Sequence, residues 1–76
     1  MREFLEYMAK HLVDNPEAVR ISEEESENRI IFKLAVAQPD IGKIIGKQGR
    51  TAQSLRVLLS AVAAKHGKRA ILEVED

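Results

Sequence analysis

Gly46-Lys47-Gln48-Gly49 sets two glycines three residues apart with two polar residues between them, and Arg50 follows at once. Glycine at those positions lets the backbone turn tightly and leaves it bare of Cβ atoms. A bare backbone admits a bulky anion, and the N–H groups that open a following helix favour negative charge. Lys47 and Arg50 add two cations at the same place. Such a grouping makes and breaks no bonds; it can hold a phosphodiester backbone against main-chain amides.

Residues suited to catalysis are present but scattered. His11 and His66 lie far apart, each near the end of a helical stretch, with no carboxylate placed beside them by spacing. Ser54 and Ser60 have no base at a distance that would activate a hydroxyl. Glu23-Glu24-Glu25 and Glu27 read as a solvated charge run and not as a metal site. The chain has no cysteine, which removes disulfides and thiolate metal sites. Gly42 to Lys47 has the flavour of a nucleotide phosphate loop, but it is one spacer short, and Gln48 stands where a magnesium-binding Ser or Thr belongs. Gly42 reads instead as a close-packing position or a further point of backbone approach. The sequence therefore predicts no enzyme, no cofactor, no metal and no small-molecule substrate.

Charge distribution says more than net charge. The chain is neutral overall. Yet from Ile41 to Leu72 it carries Lys43, Lys47, Arg50, Arg56, Lys65, Lys68 and Arg69 with no acid, while residues 1–40 hold nine acids against five bases. One basic half within a neutral protein is the footprint of a polyanion site. With 76 residues and 45% hydrophobic content, the chain predicts one small domain with a thin core. The longest apolar runs are short, such as Ala61 to Ala64, far below the ~20 residues of a membrane span. Glu3 and Glu6 make the N-terminus a helix and not a signal peptide. A cytoplasmic protein is the expectation.

Several elements must position the glycine pair. Phe4, Leu5, Met8 and Leu12 recur at helical spacing over residues 2–13, with Ala9 and Val13 beside them. Asp14-Asn15-Pro16 ends that helix. Val19 and Ile21 alternate with polar residues as a strand, Ser26-Glu27-Asn28 reads as a hairpin turn, and Ile30, Phe32, Leu34 and Val36 form the clearest strand, predicted to be central. Pro39 and Asp40 open a short helix whose buried stripe is Ile41, Ile44 and Ile45. Gly46 stops it. A long helix over Arg50–His66 is capped by Gly67, and Ala70, Leu72 and Val74 make a last strand. The second and last strands, joined by helices, should pair in parallel. The expected fold is α+β: two layers in the order α-β-β-α-α-β, with a three-stranded mixed sheet covered on one face by helices.

That order, with an isoleucine-rich short helix running into Gly46-Lys47-Gln48-Gly49, resembles a type II KH domain. Within that group the chain is similar to the KhpA family, in its length, its opening helix and the run Ile44 to Thr51. The resemblance covers all of 1–76 as a single KH domain, with a helix–strand extension over 1–26 and a βααβ core over 29–76. It implies binding of single-stranded RNA, about four nucleotides of which a KH loop holds. By position, Gly46 and Gly49 would keep the backbone close, Lys47 and Gln48 would touch phosphates and sugars, and Arg50 would extend the contact. Lys43, Ile44 and Ile41 would complete the site, with an aliphatic groove running to the strand that starts at Ile30. Ala52 departs from the family pattern, which usually has a larger aliphatic there. The resemblance further implies an RNA chaperone that works with a larger partner of the KhpB/Jag type in cell shape and cell-wall synthesis.

The long helix has more apolar surface than one core contact needs. Ala52, Leu55, Leu59, Val62 and Ala63 make its main stripe, and Val57, Leu58 and Ala61 fall at or beyond its edge. A homodimer, or a heterodimer with another KH protein, is expected through those three. Phe4, Tyr7 and Phe32 lie away from the glycine pair, so aromatic stacking of bases is not expected there. Two alternatives stay open: a protein-interaction module with a degenerate loop, and a binder of single-stranded DNA.

Overall fold

The apolar stripe of the opening helix decides which of its faces packs on the core. Helix α1 (Arg2–Leu12) buries Leu5 and Ala9 completely and packs Phe4, Met8 and Leu12 partly against the core. It ends where Val13 turns extended and Pro16 starts a single 3-10 turn, Pro16–Ala18. Strands β1 (Arg20–Glu25) and β2 (Arg29–Ala35) follow as an antiparallel hairpin. The Ser26 N–H closes it by donating to the Arg29 carbonyl at 2.9 Å. A second 3-10 turn, Gln38–Asp40, leads into helix α2 (Ile41–Ile45). Helix α3 (Arg50–Ala64) and strand β3 (Arg69–Val74) complete the chain. The computed structural model describes residues 1–75; Asp76, the last residue of the expected core, lies outside them.

The sheet order is β1-β2-β3, with β2 central, antiparallel to β1 and parallel to β3. Period-two alternation sends Ile30, Phe32 and Leu34 of β2 to one side, where all three are buried. Leu72 of β3 lies opposite Phe32 on that same side. Leu5 and Ala9 from α1, Ile44 from α2, and Leu55 and Leu59 from α3 close over them into one core cluster. Truncating a fully buried side chain such as Phe32 to alanine would cost about 3–5 kcal/mol. That is a large share of the stability of a domain this small. The result is the expected α+β arrangement of a type II KH domain, a three-stranded mixed sheet with helices on one face.

Helix α3 stops at Ala64, two residues before its expected end at His66. Gly67 adopts φ +69°, the Gly67 N–H donates to the Ala64 carbonyl at 3.1 Å, and the Lys68 N–H reaches back to the Ala63 carbonyl at 3.0 Å. This paired return satisfies the last carbonyls and turns the chain into β3. Among the described residues no helix is long and apolar enough to cross a membrane.

Candidate nucleic-acid interface

Gly46 is the pivot of the site. It ends α2 by donating its N–H to the Gly42 carbonyl at 2.8 Å, then takes φ +76° and ψ 178°, a region open to glycine alone. A Cβ placed there would lie 2.2 Å from the Thr51 hydroxyl and 2.9 Å from its main-chain nitrogen. Gly46 therefore lets the start of α3 sit directly against the end of α2. Gln48 and Gly49 follow in left-handed backbone, at φ +58° and +74°. For a residue with a side chain, as at Gln48, that conformation costs about 1–2 kcal/mol. Gly49 has open space around its missing Cβ, so its φ alone demands glycine. The Gly49 N–H closes the turn by donating to the Gly46 carbonyl at 3.2 Å.

The cations around this turn are not equivalent. Lys47 and Arg50 are exposed and have no carboxylate partner among the described residues. The Arg50 guanidinium leans on the Gln48 side-chain oxygen at 3.4 Å. Lys43, expected to join them, is engaged elsewhere: its ammonium lies 3.1 Å from Asp14 and 3.6 Å from Asp40. The hydrogen bond and charge of Asp14 hold the Lys43 pKa above the usual lysine range, against partial desolvation. Arg56 donates to the Leu72 carbonyl of β3 at 3.4 Å, and Lys68 pairs with Glu25. Tertiary contacts thus tie up several cations of the basic half and leave those at the glycine turn free.

The aliphatic floor differs from the expectation. Ile44, assigned both to the RNA groove and to the buried stripe, is fully buried in the core, as is Ile30 at 3% exposure. Neither can touch a ligand; both belong to the core cluster. Ile45, expected inside, is 37% exposed immediately before Gly46, and Ile41 is half-buried. The reason is length. A five-residue helix makes little more than one turn and aims one side chain squarely inward. The i, i+3, i+4 spacing could not say which of the three isoleucines that would be.

The chain matches the family described as KhpA/KhpB, KH domain, over residues 2–74. It belongs to the KhpA/KhpB family of KH domains. Curated relatives named RNA-binding protein KhpA include that of Chlamydia pneumoniae, 54% identical over 76 residues, which cover all of this chain and 97% of the relative. That of Caldanaerobacter subterraneus subsp. tengcongensis is 50% identical over 97% of this chain and 99% of the relative. That of Aquifex aeolicus is 45% identical over 97% and 94%. No solved structure matches the chain.

Asp40, expected only to open the short helix, does more in this KH domain. It is 2% exposed, and its Oδ2 accepts the Asn15 N–H at 3.0 Å. Burial opposes its charge, but the amides of Asn15 and Asp14 and the nearby Lys43 ammonium outweigh that, so its carboxyl titrates below the usual range. Asp40 does not cap α2 with its side chain. It ties the end of α1 to the start of α2, and so fixes the approach to the glycine turn. The only local signal was an acid between a proline and an apolar helix.

Gly42 is exposed, and a Cβ on it would meet nothing within 4 Å. Close packing is therefore not its role. Ala52, the departure from the usual KH pattern, is buried. On α3, Val57 is 57% and Leu58 43% exposed, and Ala61 is also exposed. Among the described residues of this KH domain nothing covers them.

Proposed function

We propose that the chain is a non-catalytic domain that binds single-stranded RNA, clamping the sugar–phosphate strand at Gly46-Lys47-Gln48-Gly49. The observation that carries this reading is the turn itself: glycine-only backbone at Gly46, left-handed backbone at Gln48 and Gly49, and two exposed cations without carboxylate partners among the described residues. Amides and cations converging where α3 begins favour a phosphate. The relatives' printed name, RNA-binding protein KhpA, supports RNA as the polyanion. Bases then lie over Ile45 and Ile41, which are apolar and accessible beside the loop.

In this reading Val57, Leu58 and Ala61 dock a second KH surface, either another copy or a partner of the KhpB/Jag type. A second copy would supply the avidity that one small clamp lacks. An RNA chaperone in the cytoplasm, acting in cell shape and cell-wall synthesis, is the biology that the family resemblance attaches to such a pair.

The test is the double variant Lys47→Asp/Gln48→Asp, titrated with a short single-stranded RNA and with its DNA counterpart. Loss of RNA binding with an unchanged thermal melt is expected. Undiminished binding would remove the loop as the site. Equal affinity for DNA would shift the ligand to single strands in general, and no binding by the parent chain to either would leave a protein-interaction module.

A further inference from the structure

Lys43 sits one turn before Gly46 on α2, beside the bare backbone of Gly42. Its position suits a phosphate contact, yet its ammonium is already held by two carboxylates from different parts of the chain. Those two carboxylates differ. Asp40 is buried and bonded to the Asn15 amide, so it is fixed in place. The Asp14 side chain is 81% exposed, lies closer to Lys43 at 3.1 Å, and sits in the bend just past the end of α1. Its carboxylate therefore occupies the position of an anion on Lys43. A phosphate that approaches this ammonium meets a cation already neutralised by Asp14 and the like charge of the Asp14 carboxylate itself, so the two anions compete for it.

We infer that Asp14 is an internal competitor for RNA phosphate, holding Lys43 out of the bound strand's path and thereby setting the affinity and salt sensitivity of the site. The inference rests on the RNA-binding reading of the glycine loop. On binding in the parent chain, Lys43 stays with Asp14, and the strand is held by Lys47, Arg50 and the amides. Removing the Asp14 charge frees a flexible four-carbon stem to swing from Asp40 toward a phosphate lying along Gly42 and Gly46. Asp14 is thus a positioning residue, acting through Lys43.

The experiment is a double-mutant cycle of the full chain: parent, Asp14→Asn, Lys43→Gln and the pair, each titrated with a short single-stranded RNA at several salt concentrations. Asp14→Asn should tighten binding about two- to fivefold, the range that an exposed ion pair is worth. It should also steepen the salt slope by about 0.7, one further phosphate contact on a single strand. Lys43→Gln alone should change little, and the pair should behave like Lys43→Gln. A gain that survives in the Lys43→Gln background would overturn the inference, because it would then be bulk charge and not release of Lys43. So would an Asp14→Asn variant that binds no better than the parent. The Lys47→Asp/Gln48→Asp variant separates the two levels. If it loses binding while Asp14→Asn gains nothing, the loop stands and the competitor falls. If it binds like the parent, the loop reading falls and takes the competitor with it. Thermal melts of all variants report the fold independently, and Asp14, exposed at the surface, is replaceable without touching the core.

Discussion

Three glycines in one stretch have three different physical reasons for being there. Gly46 has both a glycine-only backbone and Thr51 against its missing Cβ. Gly46→Ala should cost about 2–4 kcal/mol of stability, from strain and overpacking together. Gly49 has only its left-handed φ to satisfy, so Gly49→Ala should cost about 1–2 kcal/mol. Gly42 lies inside a helix with open space around it, so Gly42→Ala should stabilise by about 0.5–1 kcal/mol. Urea unfolding of the three variants checks the order, and a Gly42→Ala variant less stable than Gly49→Ala would contradict it. Asp40 makes a prediction in pH. Its folded carboxyl titrates below its unfolded value, so its contribution is complete above about pH 4 and is lost as the pH falls through the lower folded value. Unfolding of the parent should therefore steepen on acidification below about pH 4 more than that of Asp40→Asn. Parallel curves would show that the Asp40 charge is not the anchor.

At the scale of elements, α2 and α3 divide the labour. Helix α2 is too short to be stable alone; Ile44 in the core and Asp40 at its start hold it in place. Helix α3 is long, buries Ala52, Leu55, Leu59 and Ala63, and keeps Val57 and Leu58 outside. If those two lie at an interface between copies, Leu58→Asp places an unpaired charge there. The variant should then run at half the mass of the parent in light scattering with its fold retained; an unchanged dimeric mass would exclude this face. The periodic elements were legible in the sequence because each one repeats its signal several times. Three alternating apolar residues define β2, and four buried positions on one face define α3. A single turn such as α2 offers no such repetition: its spacing puts Ile41, Ile44 and Ile45 alike in a buried stripe, whereas packing buries Ile44 alone and leaves Ile45 exposed.

For the whole molecule, the relevant quantity is where unpaired charge remains. The chain is neutral, so binding of a polyanion must come from local field and not from net charge. Glu24 pairs with Lys33 at 3.5 Å and Glu25 with Lys68, which turns part of the acidic run into cross-links within the fold. With Lys47 and Arg50 as the cations that neutralise phosphate, the logarithm of RNA affinity should fall against the logarithm of salt concentration with a slope of about −1.4, or ~0.7 per contact. A titration series in potassium chloride measures it. A slope near zero would mean that phosphates are not held; one several times steeper would mean that the basic half binds as a whole.

By itself the sequence determined the order of elements, the pairing of strands, the place of the glycine turn and the family. Each follows from signals carried by short stretches of chain — periodicity, caps, glycine where backbone angles require it — together with the rule that strands joined by a helical crossover pair in parallel. Tertiary structure alone decided which charges stay available. Lys43 meets Asp14, Asp40 meets the Asn15 amide, and Lys68 meets Glu25, all across separations in sequence that no local spacing encodes. It also decided which isoleucine of α2 faces the core, because that depends on the angle at which one short turn packs against the rest of the core.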